Sequence, residues 1–133
     1  MFYELVSSIG CIMAKRLFFA ALLAFLPAVS HAAELLMIER QGCSYCVRWK
    51  KDIGPEEYAN TAEGAHAPLQ IIDIAKAPPE GTTFARPVVF TPTFVLVENG
   101  KELARIEGYP GEDFFWGLLG MMLKAQTGFS GAG

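Results

Sequence analysis

Apolar positions in the chain fall into short blocks whose spacing changes along its length. "ELLMIER", residues 34–40, is an apolar run bounded by charge and predicts a buried strand. "CSYCVRWKKDI", 43–53, fits a helix, with Gly54-Pro55 as a stop or kink and Pro55-Glu56-Glu57 opening a second one. "APLQIIDIA", 67–75, is a second β-rich run, and the order strand, helix, strand predicts a parallel pair with a right-handed crossover. Residues 76–91 contain Pro78, Pro79 and Pro87, are weakly patterned, and are expected to form a loop with a short helix. From Pro92 onward, two alternating runs flank Asn99-Gly100, a strong hairpin signal. "GEDFFWGLLGMMLKAQTG", 111–128, predicts a terminal helix with Glu112 and Asp113 at its start and Lys124 near its end. Its apolar stretch, 114–123, is too short to span a bilayer and is expected to pack on the core.

The first block obeys a different pattern. "MAKRLFFAALLAFLPAVSHA", 13–32, has a basic start at Lys15 and Arg16, an apolar stretch from Leu17 to Val29, and the small-x-small ending Ser30-His31-Ala32. This is the layout of a secretory signal, with cleavage expected after Ala32 and a single domain over 33–133. An uncleaved anchor would need roughly 20 apolar residues. Residues 1–12 precede a second methionine, Met13, which leaves the true start at either Met1 or Met13.

Cleavage removes Lys15, Arg16 and Glu4, taking the cations from 11 to 9 and the acids from 14 to 13, so the exported chain is near −4. A net acidic chain without a basic cluster excludes a nucleic-acid module. About 100 residues suffice for one hydrophobic core.

Three cysteines become two after cleavage, because Cys11 leaves and Cys43 and Cys46 stay. Export places them where disulfides persist. A metal site is not expected, since zinc needs four ligands and no second cysteine pair accompanies the first. His66, in the polar stretch "EGAHAPL", reads as a surface histidine. A purely structural staple between residues three apart closes too small a loop to stabilise much. A redox-active pair suits the spacing better, because a helix start lowers a thiol pKa.

Cys43, beside the free N–H groups of the helix start, is the expected nucleophile. Cys46, about one turn further in, would resolve the mixed disulfide. Arg40 is the expected electrostatic neighbour of Cys43, whereas Arg48, Lys50 and Lys51 read as a solvated helix face. Val47 and Trp49 read as core or groove contacts. No phosphate-binding loop is present, and Ser44 has no assigned histidine and acid partners, which excludes phosphoryl and acyl transfer.

With the order strand, CxxC, helix, strand, loop, Thr91-Pro92, hairpin, helix, residues 34–128 resemble the thioredoxin superfamily. The resemblance implies an α/β thioredoxin-like fold in its short, strand-first, glutaredoxin-like form, a central mixed sheet flanked by helices. It further implies a thiol-disulfide oxidoreductase with no cofactor beyond its own cysteines, and a cis Pro92 facing them. Ser44, Tyr45, Thr91 and Pro92 would then bind an extended segment of a partner protein. Tyr45 before the second cysteine, and Gly108 with Glu112-Asp113, are similar to glutaredoxin features, which makes Gly108 a binding position and glutathione a candidate substrate.

More narrowly, the signal segment and "ELLMIERQGCSYCVRWKKDIGPEEY" are similar to the SoxS group of periplasmic thioredoxin-like proteins from bacterial sulfur-oxidation gene clusters. That similarity implies a periplasmic reductant that opens a disulfide or adduct on a sulfur-carrier protein and is re-reduced by a membrane electron-transfer protein. A disulfide-forming oxidase and a non-catalytic redox-sensing or binding module are the alternatives. Departures from thioredoxins are Gly42 in place of Trp, Ser44-Tyr45 in place of Gly-Pro, and Met37 where they carry a buried acid. Proton transfer to Cys46 would then need water, the substrate, or a group brought in by the fold.

Overall fold

A computed structural model describes residues 32–131; the signal-like segment as far as His31, with Cys11 and both candidate start methionines, lies outside the described residues. Strand β1 (Glu34–Glu39) forms from the first apolar run, and Leu35 to Ile38 are all buried because both faces of the sheet are covered. It pairs in parallel with β2 (Leu69–Asp73) and antiparallel with β3 (Thr93–Glu98), which pairs in turn with β4 (Lys101–Glu107). The resulting order is β2-β1-β3-β4. Asn99 (φ 54°) and Gly100 (φ 72°) close the β3–β4 hairpin with the two positive φ values its tight turn demands.

Helix α1 (Ser44–Asp52) stops at Gly54, whose φ of 75° a β-carbon would resist, and α2 (Gly54–Ala59) restarts there with Pro55 in its first turn. A third helix, α3 (Ala62–His66), was not anticipated, because five polar and small residues carry no periodicity. Thr61 caps it by accepting the Gly64 N–H at 3.0 Å. His66 is not a free surface residue: its Nε2 lies 2.7 Å from Thr127 Oγ1 and its ring packs on Phe129.

The pleat divides the core. On one face, Leu35, Met37, Phe94 and Leu96 meet Trp49, Tyr58, Phe115, Leu119 and Leu123 from α1, α2 and the terminal helix α4 (Glu112–Thr127). Phe94 is 4.8 Å from Phe115 and 5.5 Å from Trp49, centroid to centroid, so the three rings lock α1 and α4 to the sheet. Each such side chain contributes roughly 1.5–3 kcal/mol on burial.

On the other face, Leu36, Ile38, Val95 and Val97 are closed by Phe84 and Val88. These two belong to the proline-rich segment, which contains no helix and bridges β4 through Thr83 and Lys101. Prolines remove the N–H donors a helix would need there, so side chains of β4 anchor the segment instead. Arg105 donates to the Arg86 carbonyl at 2.8 Å, and Glu102 accepts the Ala85 N–H at 2.7 Å. No helix among the described residues is long and apolar enough to cross a membrane.

Candidate active site

The turn from β1 into α1 sets the cysteines. Gly42 (φ 77°) reverses the chain, the Cys43 N–H donates to the Arg40 carbonyl, and Cys43 becomes the N-cap of α1. Its Sγ accepts the Cys46 N–H at 3.1 Å. Cys43 and Cys46 are joined by a disulfide, their Cα atoms 5.3 Å apart. Cys43 is half-buried, whereas Cys46 is 2% exposed and belongs to the helix-side core with Met37 and Trp49.

Two depressions flank the pair. An open groove of about 580 Å³ gathers Tyr45 and Arg48 of α1, Thr91, and Gly108 and Tyr109 after β4. The Thr91-Pro92 peptide is cis, Pro92 is buried, and its carbonyl accepts the Gly108 N–H at 2.7 Å. Tyr45, Thr91 and Gly108 are therefore neighbours, although they come from three distant parts of the chain. Ser44 is exposed in the first turn of α1 and lines neither depression. The second depression, about 400 Å³, contains Cys43 and Cys46 with Glu39, Arg40, Lys50 and Asp73. Arg40 thus shares a recess with the sulfurs, as does Val47, which is 64% exposed; Trp49 is fully buried.

Several lining residues escaped the sequence reading. Arg48, assigned to a solvated face, reaches the groove and lies 3.6 Å from Asp52, which also accepts the Tyr109 hydroxyl at 2.9 Å. Burial first, and that hydrogen bond second, push the Tyr109 hydroxyl up to about 12. The i,i+4 spacing of Arg48 and Asp52 was the available signal. Lys50, likewise assigned to solvent, is ion-paired with Glu39 across the second depression. Nothing in the sequence could place Asp73 there, since only the β1–β2 register sets it opposite Glu39. Among the described residues no cluster of histidine, cysteine, aspartate or glutamate is arranged to hold a metal.

Residues 29–122 match the family model described as a thioredoxin-like domain. The reduced periplasmic thioredoxin SoxS from Paracoccus pantotrophus is 49% identical, with a TM-score of 0.66 over 68% of this chain and 95% of that one. A thioredoxin-fold protein from Helicobacter pylori (24% identity, TM-score 0.50, 74% of this chain and 71% of that) has the same fold. So does a Malassezia sympodialis thioredoxin (19%, 0.50, 70% and 76%). No curated protein sequence is significantly similar. With a CxxC disulfide at the start of a helix in a mixed, helix-flanked sheet, the chain belongs to the thioredoxin-like family, is SoxS-like, and is a thiol-disulfide oxidoreductase that works through its own cysteines.

Proposed function

We propose that this oxidoreductase is a periplasmic reductant whose substrate is a disulfide or adduct on a sulfur-carrier protein. Residues 13–32 serve as its export signal, residues 1–12 are an N-terminal extension before it, and 33–133 form the mature domain. The observation that carries the reading is Cys43 as the half-exposed N-cap of α1, with Cys46 buried one turn along. The 49% identity to a protein described as periplasmic SoxS supports the compartment and the partner class.

In this mechanism the Cys43 thiolate attacks the partner's disulfide, and a segment of that partner lies in the groove. Thr91 offers it backbone groups beside Pro92, while Tyr45 and Gly108 line its path and Ser44 borders the cysteines. Arg40 adds positive charge near the sulfurs. Cys46 then displaces the partner, leaving the Cys43–Cys46 disulfide for re-reduction by a membrane electron-transfer protein. Glutathione is a smaller candidate for the same groove.

The reduction potential of the pair tests the direction. A value near about −270 mV supports a reductant, and one near about −120 mV would make the protein a disulfide-forming oxidase instead. Identification by mass spectrometry of the protein held on Cys43 in a Cys46→Ser variant tests the partner. Capture of proteins unrelated to sulfur carriage would overturn that part.

A further inference from the structure

Resolution of a mixed disulfide requires Cys46 to lose a proton, yet Cys46 is only 2% exposed. Among the described residues no acid is fully buried beside it; Thr93 is the buried polar residue. Met37, Trp49, Phe94 and Phe115 are apolar neighbours in that cluster, and the hydroxyls of its Tyr58 and Tyr109 already donate to the Ala67 carbonyl and to Asp52. Cys43 and Cys46 also line the recess of about 400 Å³. The charged groups facing it are Glu39 from β1, Arg40 from the following turn, Lys50 from α1 and Asp73 from β2.

Its two carboxylates are not equivalent. Asp73 Oδ1 accepts the Ala75 N–H at 2.8 Å, so it is engaged in the turn that ends β2. Glu39 follows Met37 by two on β1, which puts it on the helix side of the sheet, and it is ion-paired with Lys50. Lys50 lies four residues after Cys46, on the same face of α1. The pair is thereby directed toward the helix face that carries the resolving thiol.

We propose that Glu39, oriented by Lys50, accepts the Cys46 proton through water in this recess. The inference rests on the reading of Cys43 as attacking and Cys46 as resolving thiol. The Cys46 S–H proton passes to the Glu39 carboxylate, and the Cys46 thiolate attacks Cys43 Sγ. The Cys43–Cys46 bond forms as the bond from Cys43 to the partner breaks. The partner leaves with the electron pair as a thiolate and takes back a proton from the Glu39 carboxyl. Two electrons have moved from the dithiol to the partner's disulfide, and Glu39 is regenerated.

Reduced protein mixed with 5,5′-dithiobis(2-nitrobenzoate) separates the steps, because one coloured thiolate leaves when Cys43 attacks and a second when Cys46 resolves. Glu39→Gln is expected to leave the first phase unchanged. It should slow the second by about 100-fold near pH 7, within the range for lost acid–base assistance. The deficit should shrink only as pH rises beyond the free-thiol value of about 8.5, because apolar burial holds a thiol above it and unaided ionisation comes later. Lys50→Met should slow the same phase less, and Asp73→Asn should leave it alone. An unchanged second phase in Glu39→Gln, or a larger slowing in Asp73→Asn, overturns the proposal. If Glu39→Gln fails to fold, an unchanged second phase in Lys50→Met overturns it. Absence of the first phase in the unaltered protein would instead sink the redox reading, and this inference with it.

Discussion

The backbone N–H of Cys46 points at Cys43 Sγ across 3.1 Å, so the residue proposed to resolve the disulfide would also stabilise the sulfur proposed to attack. A thiolate at that N-cap gains this hydrogen bond and the positive end of α1 together. In reduced protein the Cys43 thiol should therefore titrate below the free-cysteine value of about 8.5. The pH dependence of iodoacetamide alkylation in a Cys46→Ser variant checks this, since the backbone donor survives the substitution. A midpoint at the free-cysteine value would remove the helix terminus from the mechanism. Cys43→Ser should abolish turnover, whereas Cys46→Ser should accumulate a covalent partner adduct visible by mass.

Glu102 and Arg105 expose only 4% and 5% of their side chains, and together they tie the proline-rich segment to β4. Arg105→Met leaves Glu102 buried without its partner and should cost roughly 3 kcal/mol, the low end for breaking such a pair. Thermal unfolding measures the loss. Hydrogen exchange at Ala85 should rise with it.

The same pair makes stability depend on acid. Burial favours the neutral Glu102 carboxyl, but hydrogen bonds from Arg105 and the Ala85 N–H, with the charges of Arg105 and Arg86, outweigh it and hold the group below the usual carboxylate range. A lowered native pKa contributes stability that is present above the unfolded value, about 4.3, and lost as pH falls through the folded one. Unfolding midpoints between pH 5 and 2 should fall less in Arg105→Met than in the unaltered protein, because the variant has already lost the contribution.

Tyr109 gives the opposite sign. Its hydroxyl is raised to about 12, so the stability it contributes is complete below the unfolded value of about 10 and disappears as pH rises toward 12. Tyr109→Phe should lose about 1 kcal/mol at neutral pH, from the hydrogen bond to Asp52, and show a shallower alkaline decline. Denaturant unfolding at pH 7 and across pH 9–12 separates the two effects.

Gly100 links the hairpin to the loop that covers the sheet. A β-carbon there would lie 2.0 Å from the Gly81 carbonyl oxygen, and φ is 72°. Gly100→Ala should destabilise by more than about 1 kcal/mol. Faster exchange of the Thr83 N–H, which donates to the Gly100 carbonyl at 2.7 Å, should accompany it. Unchanged exchange at Thr83 would mean that the turn and the loop are independent.

Strands β1 and β2, the β3–β4 hairpin and the two long helices were legible because each is specified within its own stretch. The apolar run 35–38, the Asn99-Gly100 turn and the break at Gly54-Pro55 are local chemistry. Helix α3 was not legible, since five residues are too few to display a period and a single Thr61 cap defines it. Helix α4 was legible as a helix but not in its facing. Phe115 and Leu119 are buried while Phe114 and Met121 are 70% and 63% exposed, and a helix apolar nearly all round does not announce which side meets the sheet.

By itself the sequence pointed to the redox chemistry of this protein: two cysteines one helical turn apart favour a redox-active pair, and their place after a buried strand and ahead of a Thr-Pro-led hairpin carries the resemblance to thioredoxins. Tertiary structure alone decided the surroundings of that pair. The β1–β2 register set Asp73 opposite Glu39, the packing of α1 over the sheet brought Lys50 to Glu39, and the return of β4 put Gly108 and Tyr109 beside Tyr45 and Thr91. Those contacts join residues of different elements, 11 positions apart for Glu39 and Lys50 and 34 for Glu39 and Asp73, and no local pattern encodes a distance that only the closed sheet and its shared aromatic core can establish.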